Sequence, residues 1–456
     1  MIEPSDGGEW GFRLALLAGL LAASAAPGSA AARRPGGYYG PLARAGARLA
    51  WRTPLPLKCT GAIRSYRLLD EYLYAIGADG KVWAIRADTG ERVWTRRLAR
   101  PEEKLWPPTA YRSPDLRAVV FTSLDKAVFL DPATGLEIEK TDQDDQGEPR
   151  TRTMGPVRLR SATLASVAAS PEHVFAIAPN NRVRRYDIAD SYESWQMETP
   201  GRVRLAPVFL ARYDLLLVAD TGGQVAGVSG ADRTRKFTRQ LQGEPVGWLA
   251  ADHEAVCVAT SEPRLYTVDL ATGQVQLEYR LPGRPTGGPV VTETSVYQAT
   301  RHGLQRVGKK QEFPNWLAPE AKCFLAEWPR RVVLLRSDGK IDLVRRETGE
   351  SLDLVDLGQE KFDGAGNPWN DAVILASPQG EIWCLRPIGA GPLTPADFRP
   401  PAPEMPEAKD EPAVVDEGTT VKEESAEAPP EEEPAEKEGP RMTLEERLIA
   451  DPLRPQ

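Results

Sequence analysis

The chain has 456 residues, 41% of them hydrophobic and 27% charged, with a net charge of −8, three histidines and four cysteines. Fourteen acidic residues against three lysines between positions 400 and 440 hold about −11 of that charge, which leaves the rest near +3. The body is therefore neither basic enough to read as a nucleic-acid binder nor acidic enough for a cation sponge.

Leu14 to Ala26 is an apolar run rich in alanine and leucine, followed by Pro27 and small residues through Ala30-Ala31-Ala32. This pattern predicts a secretory signal peptide over 1–32. Its start departs from the usual cationic preface, with Glu3, Asp6 and Glu9 against Arg13 alone. About 13 apolar residues are too few to span a bilayer, so no transmembrane span is expected in the mature chain. No cysteine closes the leader, so a lipid anchor has no attachment point there. The expected location is the periplasm or cell envelope.

From Ala45 to Pro392 one phrase recurs: an apolar strand, a Thr-Gly turn, then a second strand. It reads Val82-Trp83-Ala84-Ile85, Thr89-Gly90, Glu91-Arg92-Val93-Trp94, and returns around Thr134-Gly135, Thr272-Gly273 and Thr348-Gly349. Worn copies run from Val183 to Tyr186, Val225 to Val228 and Ile382 to Leu385. Ahead of each phrase lies another apolar strand with a tight turn, as in Tyr72 to Ile76 with Asp79-Gly80, where glycine supplies the positive φ of a hairpin. Several short strands per unit at this period indicate a β-propeller.

Hairpins centred near residues 79, 125, 181, 222, 262, 302, 338 and 379 give eight four-stranded antiparallel blades, roughly 43 residues each. The sixth copy, Val296 to Gly303, is the most eroded, and the count falls to seven if it is an insertion. The last copy runs into Pro387 without an outer strand, whereas Arg48 to Thr53 resembles the outer strand Glu91 to Arg96. The N-terminal strand is thus expected to complete the eighth blade and remove the open edge.

The chemistry inventory is thin. Cys59, Cys257, Cys323 and Cys384 are far apart, in or beside apolar strands, and read as buried thiols with one disulfide or none. His173, His253 and His302 read as surface-loop histidines, without the neighbours of a metal site or a Ser-His-Asp triad. The Asp142 to Asp145 run, in an insertion after the second blade, resembles half a calcium loop but lacks the glycine and glutamate of an EF-hand. It reads as a solvated acidic loop. No metal or cofactor is expected.

Trp51, Trp83, Trp94, Trp195 and Trp383 fall at repeat-related strand positions and are expected to wedge between blades. Trp106, Trp248, Trp316, Trp328 and Trp369 lie near segments that enter blades. Trp106, Trp316 and Trp369 among them are candidate partner-binding aromatics.

Residues 393–440 form a linker of Pro, Glu, Ala and Lys, of disordered composition. Residues 441–456 form a short helical phrase beyond it, in which Thr443 and Glu446 make a capping-box pattern and Leu444 and Leu448 share a face. An acidic tether ending in an amphipathic helix resembles a docking peptide, with Leu444 and Leu448 as its contacts. A helix this short also reads as a frayed tail with no partner.

The phrase from Ile85 through Thr89-Gly90 to Trp94 resembles the repeat of quinoprotein alcohol dehydrogenases and their non-enzymatic relatives, over roughly residues 45 to 392. In the enzymes, pyrroloquinoline quinone and calcium sit at the propeller axis, with a catalytic aspartate and a disulfide between adjacent cysteines. This chain has no adjacent cysteine pair and no acidic cluster that matches the calcium site. The resemblance therefore implies the non-catalytic branch, which includes the propeller subunit of the outer-membrane β-barrel assembly machinery. It points to an exported, monomeric, non-enzymatic scaffold that binds an envelope protein partner. A quinone- and calcium-dependent dehydrogenase and a carbohydrate-binding propeller are the alternatives.

Overall fold

The computed structural model describes residues 39–399, apart from 58–61, 114–115, 144–148, 311–313 and 359–360. Eight four-stranded antiparallel sheets succeed one another as blades of a closed propeller. Blade 1 runs outward from the axis through Ile63–Leu69, Tyr72–Gly77, Lys81–Arg86 and Arg92–Arg97. Blades 3 to 7 repeat this order over 168–198, 208–240, 245–280, 290–318 and 321–355. The worn sixth copy is a complete blade, its inner strand shortened to Val290–Val291 and its outer strand to Trp316–Ala318. The count is eight.

Blade 8 takes its inner three strands from Asp363–Ala365, Val373–Ala376 and Glu381–Pro387, and its outer strand from the other end of the chain. Ala47–Pro54 pairs antiparallel with the third strand, from Ala47 opposite Pro387 to Pro54 opposite Glu381. The ring closes as the sequence predicts, and an otherwise open sheet edge is covered.

One hydrophobic cluster fills each of the eight junctions between neighbouring blades. The alternation of a strand explains why both faces of the middle strands are apolar. In blade 1, Leu73 and Ala75 point toward blade 8 while Tyr74 and Ile76 point toward blade 2. Truncating a buried leucine such as Leu73 to alanine in such a junction costs about 2–5 kcal/mol.

The Thr-Gly turn and the tryptophan of the repeat belong to one inter-blade joint. An outer-strand aromatic of one blade lies on the turn glycine of the next: Trp94 on Gly135, Phe237 on Gly273 and Trp316 on Gly349. The indole N–H of Trp94 donates to the carbonyl of Pro132 at 2.9 Å, and that of Trp316 to Arg346 at 2.8 Å. Each acceptor stands three residues before its glycine. Glycine is required because the turn has positive φ and because any Cβ would enter the ring.

Two details depart from expectation. The insertion of blade 2 lies inside that blade rather than after it, since the outer strand Val157–Arg158 comes after a hairpin of Glu139–Gln143 with Pro149–Thr153. Asp142 and Gln143 are therefore in a strand, and Asp144 and Asp145 lie outside the described residues. His173 opens the second strand of blade 3, half-buried, because the turn before it is only Ser170 to Glu172. It is not a surface-loop histidine. His253 and His302 are exposed in turns, as expected.

Candidate functional site

The propeller has two faces. One carries the Thr-Gly turns and the turns between inner and second strands. The other, the crossover face, carries the second-to-third-strand hairpins and the crossovers into the next blade.

On the crossover face, blades 2 to 4 present an apolar patch edged with cations. Leu124 occupies the hairpin turn of blade 2, a place that ordinarily takes a polar residue, and is 42% exposed. Leu164, in the crossover to blade 3, is 36% exposed. A hydrogen bond from the Thr163 amide to the Leu124 carbonyl, 2.8 Å, ties the segment before Leu164 to the hairpin turn that carries Leu124. Leu164 also lines a cavity of about 420 Å³ with Pro179, Arg202 and Arg204. Arg204 is paired with Glu244 at 3.2 Å, whereas Arg202 is exposed beside it.

Trp106 borders this patch. Its amide donates to the Thr122 carbonyl at 2.9 Å, at the base of the same hairpin, and the Lys104 ammonium lies 3.3 Å from the ring centre. Desolvation lowers the pKa of Lys104. An aromatic, two leucines and nearby cations suit a partner surface that is apolar with an acidic border.

The sequence-predicted residues do not meet at one place. Trp106 borders the blade 2–4 patch. Trp369 lies on the opposite face, in the turn between inner and second strands of blade 8, and is 42% exposed. Trp316 is only 7% exposed and serves as the inter-blade aromatic described above, so it lacks the exposure that partner contact needs. Its repeat position is hidden in the sequence because blade 6 has no Thr-Gly turn ahead of it. Leu444 and Leu448 lie outside the described residues. Sequence reasoning does not single out Leu124, Leu164 or Arg202; an apolar residue at a Ser-Leu-Asp-Lys turn is the available signal for Leu124.

A second cavity, of about 270 Å³, lies on the Thr-Gly face between His173, Asp187, Met154 and Pro171. His173 has Asp187 at 3.4 Å from Nε2 and the Ser170 hydroxyl at 3.4 Å from Nδ1. This resembles a hydrolytic triad but is not built as one. Ser170 accepts the backbone N–H of His173 at 3.1 Å and thereby shapes the turn, as Ser113 does for Leu116 in blade 2. Burial lowers the pKa of His173, and nearby Arg185 lowers it further against the pull of Asp187. Among the described residues, no group of three or more His, Cys, Asp or Glu is placed to hold a metal ion. Cys257, Cys323 and Cys384 are free thiols, and Cys59 lies outside the described residues.

The family described as outer membrane protein assembly factor BamB matches residues 3–195 and 153–316. Among solved structures, BamB from Moraxella catarrhalis aligns at 15% identity with a TM-score of 0.55, covering 76% of this chain and 99% of that one. The computationally designed Ika8 protein aligns at 14% identity with a TM-score of 0.53, covering 73% of this chain and 98% of that one. At such identities the likeness is one of fold. No curated protein matches the chain.

Proposed function

The chain belongs to the family of the outer membrane protein assembly factor BamB, and on that premise we propose that it is a non-enzymatic scaffold that binds a protein partner in the cell envelope. The observation that carries the reading is the pair Leu124 and Leu164, two partly exposed leucines on one face of a stiff platform, with the backbone next to Leu164 hydrogen-bonded to Leu124. Blades held by eight filled junctions present such a patch with little entropy left to lose on binding. Trp106 supplies an aromatic anchor at its edge, and Arg202 a cation for an acidic rim. The leader-like residues 1–32 support export. The acidic linker, with Leu444 and Leu448 beyond it, adds a second contact whose tethering raises affinity through effective concentration.

The test is crosslinked affinity capture of the tagged full-length protein from its native envelope, beside Leu124→Asp with Leu164→Asp. A defined envelope protein retained by the parent and lost by the double variant supports the reading. Equal capture by both moves recognition to another surface, and a cytosolic location on cell fractionation overturns the envelope role.

A further inference from the structure

One charge on the channel wall, Arg67, has no hydrogen-bond or ion-pair partner among the described residues. Arg67 lies on the innermost strand of blade 1, opposite Tyr74 in the ladder. Its neighbours Tyr66 and Leu68 pack into the junction between blades 8 and 1, yet Arg67 is exposed. On the innermost strand of a closed ring, the only open direction is the central channel.

The ladders locate the matching position in every other blade. Thr109 stands there in blade 2, Ala168 in blade 3 and Val208 in blade 4. Ala250, Val290, Ala326 and Ala365 occupy it in blades 5 to 8. Seven blades out of eight thus show that the fold needs only a small residue at this level. In five of those blades the residue packs into the junction with the next blade, whereas Arg67 is exposed, so packing does not account for it.

Several neighbouring cations have partners, and Arg64 on the same strand reaches the Pro101 carbonyl at 3.5 Å. Lys322 on blade 7 pairs with Asp363 on blade 8, and Arg112 and Arg117 pair with Asp70. Arg67 has no hydrogen bond or ion pair among the described residues. Arg67 is exposed to solvent, yet desolvation by the surrounding protein lowers its pKa. A cation that is partly dehydrated and unpaired is a poor use of an arginine unless an anion joins it.

We propose that Arg67 makes the central channel a binding site for a carboxylate, taken up by the guanidinium as a two-pronged N–H···O contact. The planar fork of arginine matches a carboxylate in shape as well as in charge. The carboxylate comes either from a small free acid or from an acidic side chain on an extended peptide that enters the channel. This site is separate from the blade 2–4 patch, and its failure would leave the scaffold reading untouched.

The experiment is calorimetric titration of the full-length protein at low ionic strength, with succinate in one arm and acetyl-Gly-Glu-Gly-amide in the other. Chloride at matched ionic strength is the blank. Saturable binding with one site per chain is expected in at least one arm, weakened at least tenfold in Arg67→Ala and less in Arg67→Lys, which keeps the charge but not the fork. Arg67→Ala installs the residue that four other blades carry, so its unfolding midpoint is expected to hold; Arg67→Gln serves if it does not. Binding of succinate alone identifies a small acid, and binding of the peptide alone an extended chain. No binding in either arm, or equal binding by the alanine and glutamine variants, overturns the site.

Discussion

The indole of Trp51, on the first strand of the propeller, lies over Gly90 of blade 1 and donates its N–H to the Ala87 carbonyl at 3.0 Å. This is the same joint that Trp94 makes with Gly135, but here it links the two ends of the ring. Trp51 reached blade 8 from the N-terminus, so the contact holds the chain's beginning to the first blade that comes after it. The C-terminal end of the described chain adds a second fastening, with Phe398 buried in the junction between blades 8 and 1 and Arg399 paired with Glu71 at 3.0 Å.

Gly90 and Gly339 both adopt left-handed backbone, with φ of +75° and +85°. A Cβ on Gly90 would lie 2.5 Å from the Trp51 ring, whereas nothing stands within 4 Å of one on Gly339. Gly339→Ala is therefore expected to cost about 1–2 kcal/mol for backbone conformation alone. Gly90→Ala adds an overpacking penalty of about 1–3 kcal/mol. Urea unfolding of the two variants checks this, and equal losses would mean that the ring shifts aside freely.

Burial alone would raise the pKa of Glu71, but hydrogen bonds from Arg117 and Arg399 overcome it and hold the carboxyl down to about 2. A depressed carboxyl stabilises the fold above its unfolded value and loses that contribution as pH falls. Glu71→Gln is expected to remove on the order of 2 kcal/mol at pH 7, after allowance for the solvent that reaches Arg399. The difference from the parent should shrink between about pH 4.5 and pH 2. Unfolding measured across that range decides it; a constant difference would show that the group acts through shape and not charge.

Burial pushes the thiols of Cys257 and Cys323 up to about 11, and that of Cys384 also upward. The thiolate is the reactive form, so these groups should be inert near neutral pH. In a Cys59→Ser background, a disulfide-exchange dye is expected to label none of the three promptly in the native state and all three after denaturation. Fast native labelling would point to a junction that opens locally.

Leu124→Asp with Leu164→Asp is expected to leave the unfolding midpoint within a few degrees of the parent, since both side chains already face water. Partner capture should fall by at least tenfold. Trp369→Ala, on the opposite face, is the matched control and should leave capture unchanged.

Leu444→Ala with Leu448→Ala tests the tail. If residues 441–456 supply a tethered second contact, capture weakens severalfold while the blade contact persists. Unchanged capture would remove the tail from recognition.

The repeat is legible in the sequence because each of its signals is local. A strand alternates because its side chains alternate, a hairpin turn needs Asp-Gly or Gly-Gly, and an outer strand tolerates polar residues because one edge meets water. The expected count of eight, with seven as the alternative, and the closure by Arg48 to Thr53 come from comparing such local phrases. The site is less legible. Trp316 and Trp106 are both tryptophans near a blade boundary in the sequence, yet one is a joint between blades and the other borders a surface. Leu124 and Leu164 are 40 residues apart and come to one surface only because blade 2's hairpin and the crossover after it share a face. Arg67 is one arginine among many until the ring sets it level with seven small residues from other blades. Sequence by itself determined the blade and the way the ring closes, since those rest on backbone geometry and hydrophobic period, and it left the count at eight or seven until the sixth blade was seen complete. The tertiary structure alone decided which side chains face the channel or share a surface, because the ring brings together residues that local rules cannot relate.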